Sequence, residues 1–174
     1  MEVPLMAVSS QGWNVCQQVY ALWSVILGVG FGATHFFPRV EINGLWLILS
    51  LLGLGYMIVL AQHPQNRSAS LRSTGWVWLY TISLGMVLSV LPFMHLSSLG
   101  FLGAYLGAFW LLQMGIGHVL NGWVNPPSGP YLLTGGIQVL AGLACLVLEP
   151  LQSYQFLVAG GVGTAAMLLL IRLG

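Results

Sequence analysis

The sequence predicts an all-α membrane protein of six transmembrane helices, arranged as three repeated helical hairpins, with a pseudo-threefold bundle as the preferred arrangement. Three observations predict it. Apolar residues fill 57% of the 174 positions and charged residues 4%, against about 25% charged in an ordinary soluble domain. The apolar runs are continuous rather than alternating, which favours helices over a β-barrel. Pro38, Pro92 and Pro150 each end an apolar run of roughly one membrane thickness and precede the next.

Taken in order, the first 14 residues form a mixed segment with Glu2 and no basic residue. A cleavable signal peptide begins with basic residues, so the segment is read as retained and lying in the interface, with Trp13 as its anchor. Residues 15–174 form the transmembrane domain. Its spans are placed near 15–37, 42–61, 75–91, 97–120, 131–148 and 154–172, and its hairpins near 15–61, 75–120 and 131–172. Short turns at 38–41, 92–96 and 150–153 make the helices of each hairpin antiparallel. The connections between hairpins, 63–74 and 121–130, are longer and more polar, the second carrying Pro126, Pro127 and Pro130.

The only acids are Glu2, Glu41 and Glu149, and the only bases besides histidine are Arg39, Arg67, Arg72 and Arg172. Such a chain has no basic stripe for phosphates, which argues against nucleic-acid binding. An even number of spans puts both termini and the two longer connections on one side. That side holds three arginines and the other holds Arg39, so the termini are expected in the cytoplasm. Asn66-Arg67-Ser68 matches a glycosylation acceptor but falls on that side, and is read as chance. The membrane itself is expected to be a bacterial inner membrane or a thylakoid. Cys16 and Cys145 lie far apart and are read as buried free thiols.

The segments Gly30 to Pro38, Gly85 to Pro92 and Gly142 to Pro150 can be laid over one another, each followed by a glycine-rich helix: Gly53 and Gly55, then Gly100, Gly103 and Gly107, then Gly160, Gly161 and Gly163. This pattern resembles the HdeD-like family of small bacterial membrane proteins, from about Ala21 onward. The resemblance implies a helix, a proline turn and a glycine-containing helix recurring three times. It also implies an association with acid-stress resistance, and it supplies no catalytic motif. This chain differs from a typical member in having no lysine.

Gly28-Val29-Gly30-Phe31-Gly32-Ala33 satisfies a dinucleotide-binding fingerprint in form, but it lies inside an apolar helix with no strand before it. Gly28 with Gly32, and Gly103 with Gly107, are four apart and share a helix face, so they are assigned to helix packing. Gln113 and Gln138 each lie about 10 Å into the membrane at 1.5 Å per residue. An amide at that depth needs a partner, and the two are expected to pair or to act as glue between helices. Gln113, Gly117 and Asn121 fall on one face as a polar strip.

His35 and His95 fall near the tight turns and His118 near the opposite surface, while His63 lies in a polar connection. His35, His95 and His118 are candidates for acid sensing or for ligating a porphyrin-type pigment. Arg39, Glu41 and Glu149 are turn charges expected to fasten hairpin ends together. Trp13, Trp46, Trp76, Trp78, Trp123, Tyr131 and Tyr154 read as interfacial belts, and Phe101, Tyr105 and Phe109, with Trp110 beside them, as an aromatic ridge. No catalytic triad, metal cluster or paired aspartates are present.

The leading expectation is a non-enzymatic HdeD-like protein with a stress-related or membrane-stabilising role and no cofactor. Its partners are lipid and other membrane subunits or a second copy. The alternative is an accessory or assembly subunit of a larger complex, photosynthetic and in contact with chlorophyll or carotenoid. A small transporter or channel comes third, since midplane charges and broken helices are missing.

Overall fold

The computed structural model describes residues 14–37, 41–63, 69–90 and 103–173. These residues are all-helical: α1 (Val15–Phe36), α2 (Glu41–Gln62), α3 (Ala69–Val90), α4 (Leu106–Val124), α5 (Gly129–Val147), the one-turn α6 (Glu149–Gln152) and α7 (Gln155–Leu173). Four of them, α1, α5, α7 and the Gly44–Gln62 part of α2, are long and apolar enough to cross a membrane. Helices α3 and α4 have comparable lengths of 22 and 19 residues, and α3 carries the more polar side chains of the two. The expected N-terminal segment through Trp13, along with Arg39, His95 and Phe101, lies outside the described residues, as do the side chain of Glu41 and the ion pair expected of it.

Local chemistry sets several helix ends. Asn14 caps α1: its Oδ1 accepts from the Gln17 amide at 2.9 Å while Gln17 Oε1 accepts from the Asn14 amide at 3.0 Å, a reciprocal capping box. Helix α3 begins at Ala69 rather than 75, because nothing in the run from Ala69 to Thr74 breaks a helix, so Arg72 is helical. Helix α4 runs past Leu120 to Val124 and leaves only residues 125–128 as a connection. The turn expected at 150–153 is largely α6, with Pro150 in its first turn, where the missing N–H costs nothing.

Hydrogen bonds between helix ends show that one end of the molecule gathers the starts of α1, α3 and α5 and the ends of α2, α4 and α7. Gln17 Nε2 donates to Ile171 O at 3.0 Å, Tyr56 Oη to Gln18 Oε1 at 2.8 Å, Tyr20 Oη to Tyr131 Oη at 2.9 Å, and Ser73 Oγ to Asn125 Oδ1 at 2.9 Å. Each long helix is therefore antiparallel to the next. The most extensive packing joins α4 to α5 and α1 to α7; α1 with α2, α3 with α4, and α5 with α7 meet less, and α2 barely touches α3. The core lies among α1, α4, α5 and α7, around Leu27, Phe31, Leu111, Met114, Cys145, Ala159 and Leu170.

Candidate functional site

Two features stand out inside the bundle: a polar pair sealed between α4 and α5, and an apolar crevice behind the gap between α2 and α3.

The α4–α5 contact is built on small residues seven apart. Ala108 and Gly115 on α4 meet Gly142 and Gly135 on α5, and Gly122 meets Tyr131 and the Ser128 carbonyl at the start of α5. A Cβ on Gly115 would lie 2.8 Å from Gly135 O, and one on Gly135 would lie 2.7 Å from Gly115 O. Without side chains, the two backbones meet directly, the main source of helix association where lipid removes the hydrophobic drive. In this closed seam His118 Nδ1 donates to Gln138 Oε1 at 2.7 Å and to Met114 O at 3.0 Å. Both partners are acceptors, so Nδ1 carries a proton. The ring packs edge-on against Trp78, centroids 4.7 Å apart. Both His118 and Gln138 are wholly buried, and the Nε2 atom of each has no hydrogen-bond partner among the described residues.

The crevice has a different origin. Trp23 on α1 sits on Gly53 of α2, and Trp46 on α2 sits on Gly30 of α1, with ring atoms 2.7 to 2.8 Å from where a Cβ would stand. Helices α3 and α4 repeat the exchange: Trp110 sits on Gly85, and Trp78 reaches Gly117. In all four helices the glycine follows its tryptophan by seven residues, about two turns, so ring and seat share one face. All four tryptophans turn inward and, with Met57, Met86, Met114 and Met167, line a narrow apolar crevice with about 50 Å³ of free room. Next to it, toward the end where α3 starts, lies a chamber of about 400 Å³ bounded by Cys16, Tyr20, Met57, Leu60, Arg72 and Thr74 among others.

The residues singled out from the sequence are distributed unevenly over these features. Gln113 and Gln138 do not pair: Gln113 Nε2 donates to Thr81 O at 2.9 Å, toward α3, while Gln138 faces His118. Asn121 is buried and accepts from Asn125 Nδ2 at 2.8 Å, and the same amide donates to Thr74 Oγ1 at 2.9 Å, tying the end of α4 to the start of α3. His118, expected near the surface, is enclosed because α4 continues beyond it and α5 covers it. His35 is half-buried, its ring 5.8 Å from that of Tyr154 near the α6–α7 turn. Glu149 is exposed in α6.

Gly28 approaches Thr164 of α7, but Gly32 faces open space, so the pair does not act together. Gly107 lies against Gln155, whose Oε1 accepts from the Gly107 and Ala108 amides at 2.9 and 3.2 Å while its Nε2 donates to Ala104 O at 2.7 Å. Gly103 is half-buried just before α4. Of the expected belt, Trp76, Trp123 and Tyr154 are exposed, whereas Trp46 and Trp78 point inward and Tyr131 is bonded to Tyr20. Trp110 likewise turns toward α3 on its glycine seat. Cys16 and Cys145 are free thiols, and no metal-binding group of His, Cys, Asp and Glu occurs among the described residues. Sequence reasoning missed the contact at Gly115 and Gly135 because it sought glycines four apart; the spacing of seven was there to be read.

No family model matches this chain, and no curated protein and no solved structure matches it.

Proposed function

We propose that the chain is a non-enzymatic integral membrane protein of HdeD-like type, six spanning helices in three hairpins with both termini in the cytoplasm, whose stress-related role is to stabilise the membrane or its components from within the bilayer. The observation that carries this reading is the exchange of tryptophans and glycines within α1–α2 and again within α3–α4, which supports a repeated hairpin unit. The disposition of polar groups supports a structural rather than a catalytic role. Gln17, Gln113, Asn121, Asn125, Gln155 and Thr164 all make hydrogen bonds that join different helices or hold a helix end. The proposal is tested by deleting the gene in its host and challenging the cells with acid, with gentle extraction of the tagged protein in parallel. Lower acid survival, and migration as a small colourless particle, are the expected results; unchanged survival overturns the stress role.

A second reading, an accessory subunit of a larger membrane complex, is favoured by one feature. Helix α2 is the most apolar of the four candidate spans and the least buried. Comigration with a large complex supports this reading. Bound chlorophyll or carotenoid in that fraction would direct mutagenesis first to His35, since His118 is sealed.

A further inference from the structure

Helices α2 and α3 flank both the crevice and its chamber and scarcely touch each other, so the described residues leave a gap on this side of the bundle. The chamber and crevice adjoin, sharing Val19, Tyr20, Met57 and Trp78 in their walls. Its polarity runs in one direction. The crevice wall is apolar apart from Ser50, whereas the outer chamber ends at Arg72 and Thr74. Arg72 is exposed in the first turns of α3, at the end of the helices where a bilayer presents its headgroups. Trp78, six residues further on, lies about 9 Å deeper at 1.5 Å per residue, at the level of acyl chains. Among the described residues the one carboxylate with a described side chain, Glu149, stands at the opposite end of the bundle from Arg72.

We propose that the gap between α2 and α3 binds one anionic membrane phospholipid, with its phosphate on Arg72 and one acyl chain threaded past Met57 into the tryptophan-lined crevice. Guanidinium is suited to phosphate by its planar fork of donors and its permanent charge. The chamber falls within the roughly 300–1,000 Å³ of ordinary ligand pockets. The inner crevice is too narrow for a helix about 10–12 Å across but suits the thin cross-section of a hydrocarbon chain. Met57, Met86, Met114 and Met167 give that wall soft, unbranched side chains that adapt to such a chain. The site is independent of the stress role and stands or falls separately from it.

The test uses the full-length protein in phosphatidylcholine bilayers containing phosphatidylglycerol, with bromine placed on the acyl chains of one lipid or the other. Bromine quenches tryptophan on contact, and four tryptophans line the crevice. Brominated phosphatidylglycerol is expected to quench with an apparent affinity about fivefold above that of brominated phosphatidylcholine. Arg72→Gln should remove this preference, whereas Arg172→Gln, at the same end of the bundle, should retain it. Ser50→Leu, which narrows the crevice and leaves Arg72 in place, should reduce quenching by either lipid. Native mass spectrometry of the wild-type protein should show one retained phosphatidylglycerol, lost in Arg72→Gln. Equal quenching by the two lipids, a preference that survives Arg72→Gln, or a preference lost equally in Arg172→Gln overturns the proposal. So does a protein partner recovered on this face with no lipid retained.

Discussion

The α4–α5 seam is closed and the α2–α3 gap is open, although each joins the second helix of one tryptophan-marked pair to the helix that follows. Counting from the tryptophans shows why. On α4, Trp110 is followed five and twelve residues later by Gly115 and Gly122, which let α5 approach to backbone contact. On α2, Trp46 is followed at the same distances by Leu51 and Ile58, which are 61% and 58% exposed. Two side chains at matching register positions separate a sealed contact from an open one. In lipid, where apolar surface gains nothing by leaving the solvent, close approach depends on how near the backbones can come.

The hardest way to break this comparison is to fill the closed seam. Gly135→Leu should cost about 3 kcal/mol or prevent folding, because its Cβ would stand 2.7 Å from a backbone oxygen that cannot move aside. Gly136→Leu, one residue away with nothing within 4 Å, should stay within about 0.5 kcal/mol of wild type. Reversible denaturation in mixed micelles measures both, and equal effects would mean that the seam is not a close contact. Next comes the polar pair within the seam. His118→Leu leaves the Gln138 amide buried without a partner and should cost about 2 kcal/mol. The double variant with Gln138→Leu should cost less than the sum of the single changes, by about 1 kcal/mol in a double-mutant cycle; additive losses would show that the two side chains are uncoupled.

Gln155→Leu should cost about 1–2 kcal/mol, since it removes the acceptor for two amides at the start of α4. The loss should appear as faster amide exchange at Gly107 and Ala108 while the α4–α5 seam stays protected. The smallest effect belongs to the open side: Leu51→Ala should shift stability by no more than about 0.5 kcal/mol in the same denaturation assay. A large loss there would place a protein neighbour on α2.

Much of the helical layout was legible from residue type alone. Continuous apolar runs placed the first, second, fifth and last long helices within a residue or two. The start of α3 was not legible, because Ser70, Arg72, Ser73 and Thr74 resemble a connection by polarity yet tolerate helix, and Ser73 and Thr74 find a partner in Asn125. The polar interior was half legible. An amide within an apolar run announces that it needs a partner, and so Gln113 and Gln138 were found. Which partner it takes depends on helix rotation, and here rotation sends Gln113 to α3 and Gln138 to His118. The inward tryptophans were illegible as such, because a tryptophan near a span end looks the same whether it faces headgroups or a glycine on the neighbouring helix.

The reciprocal seating of those tryptophans bears on how the chain assembles as it is made. In α1–α2 each helix offers one projection and one notch, at Trp23 and Gly30 and at Trp46 and Gly53. If α2 slid by one turn along α1, Trp46 would leave Gly30 and its hydrogen bond to Thr34 Oγ1, and Trp23 would leave Gly53 and its contact with Met57 Sδ, so both fits would fail together. A pair of helices leaving the insertion machinery therefore needs no later partner to select its alignment. The first two pairs can each reach their final offset while the rest of the protein is still being synthesised.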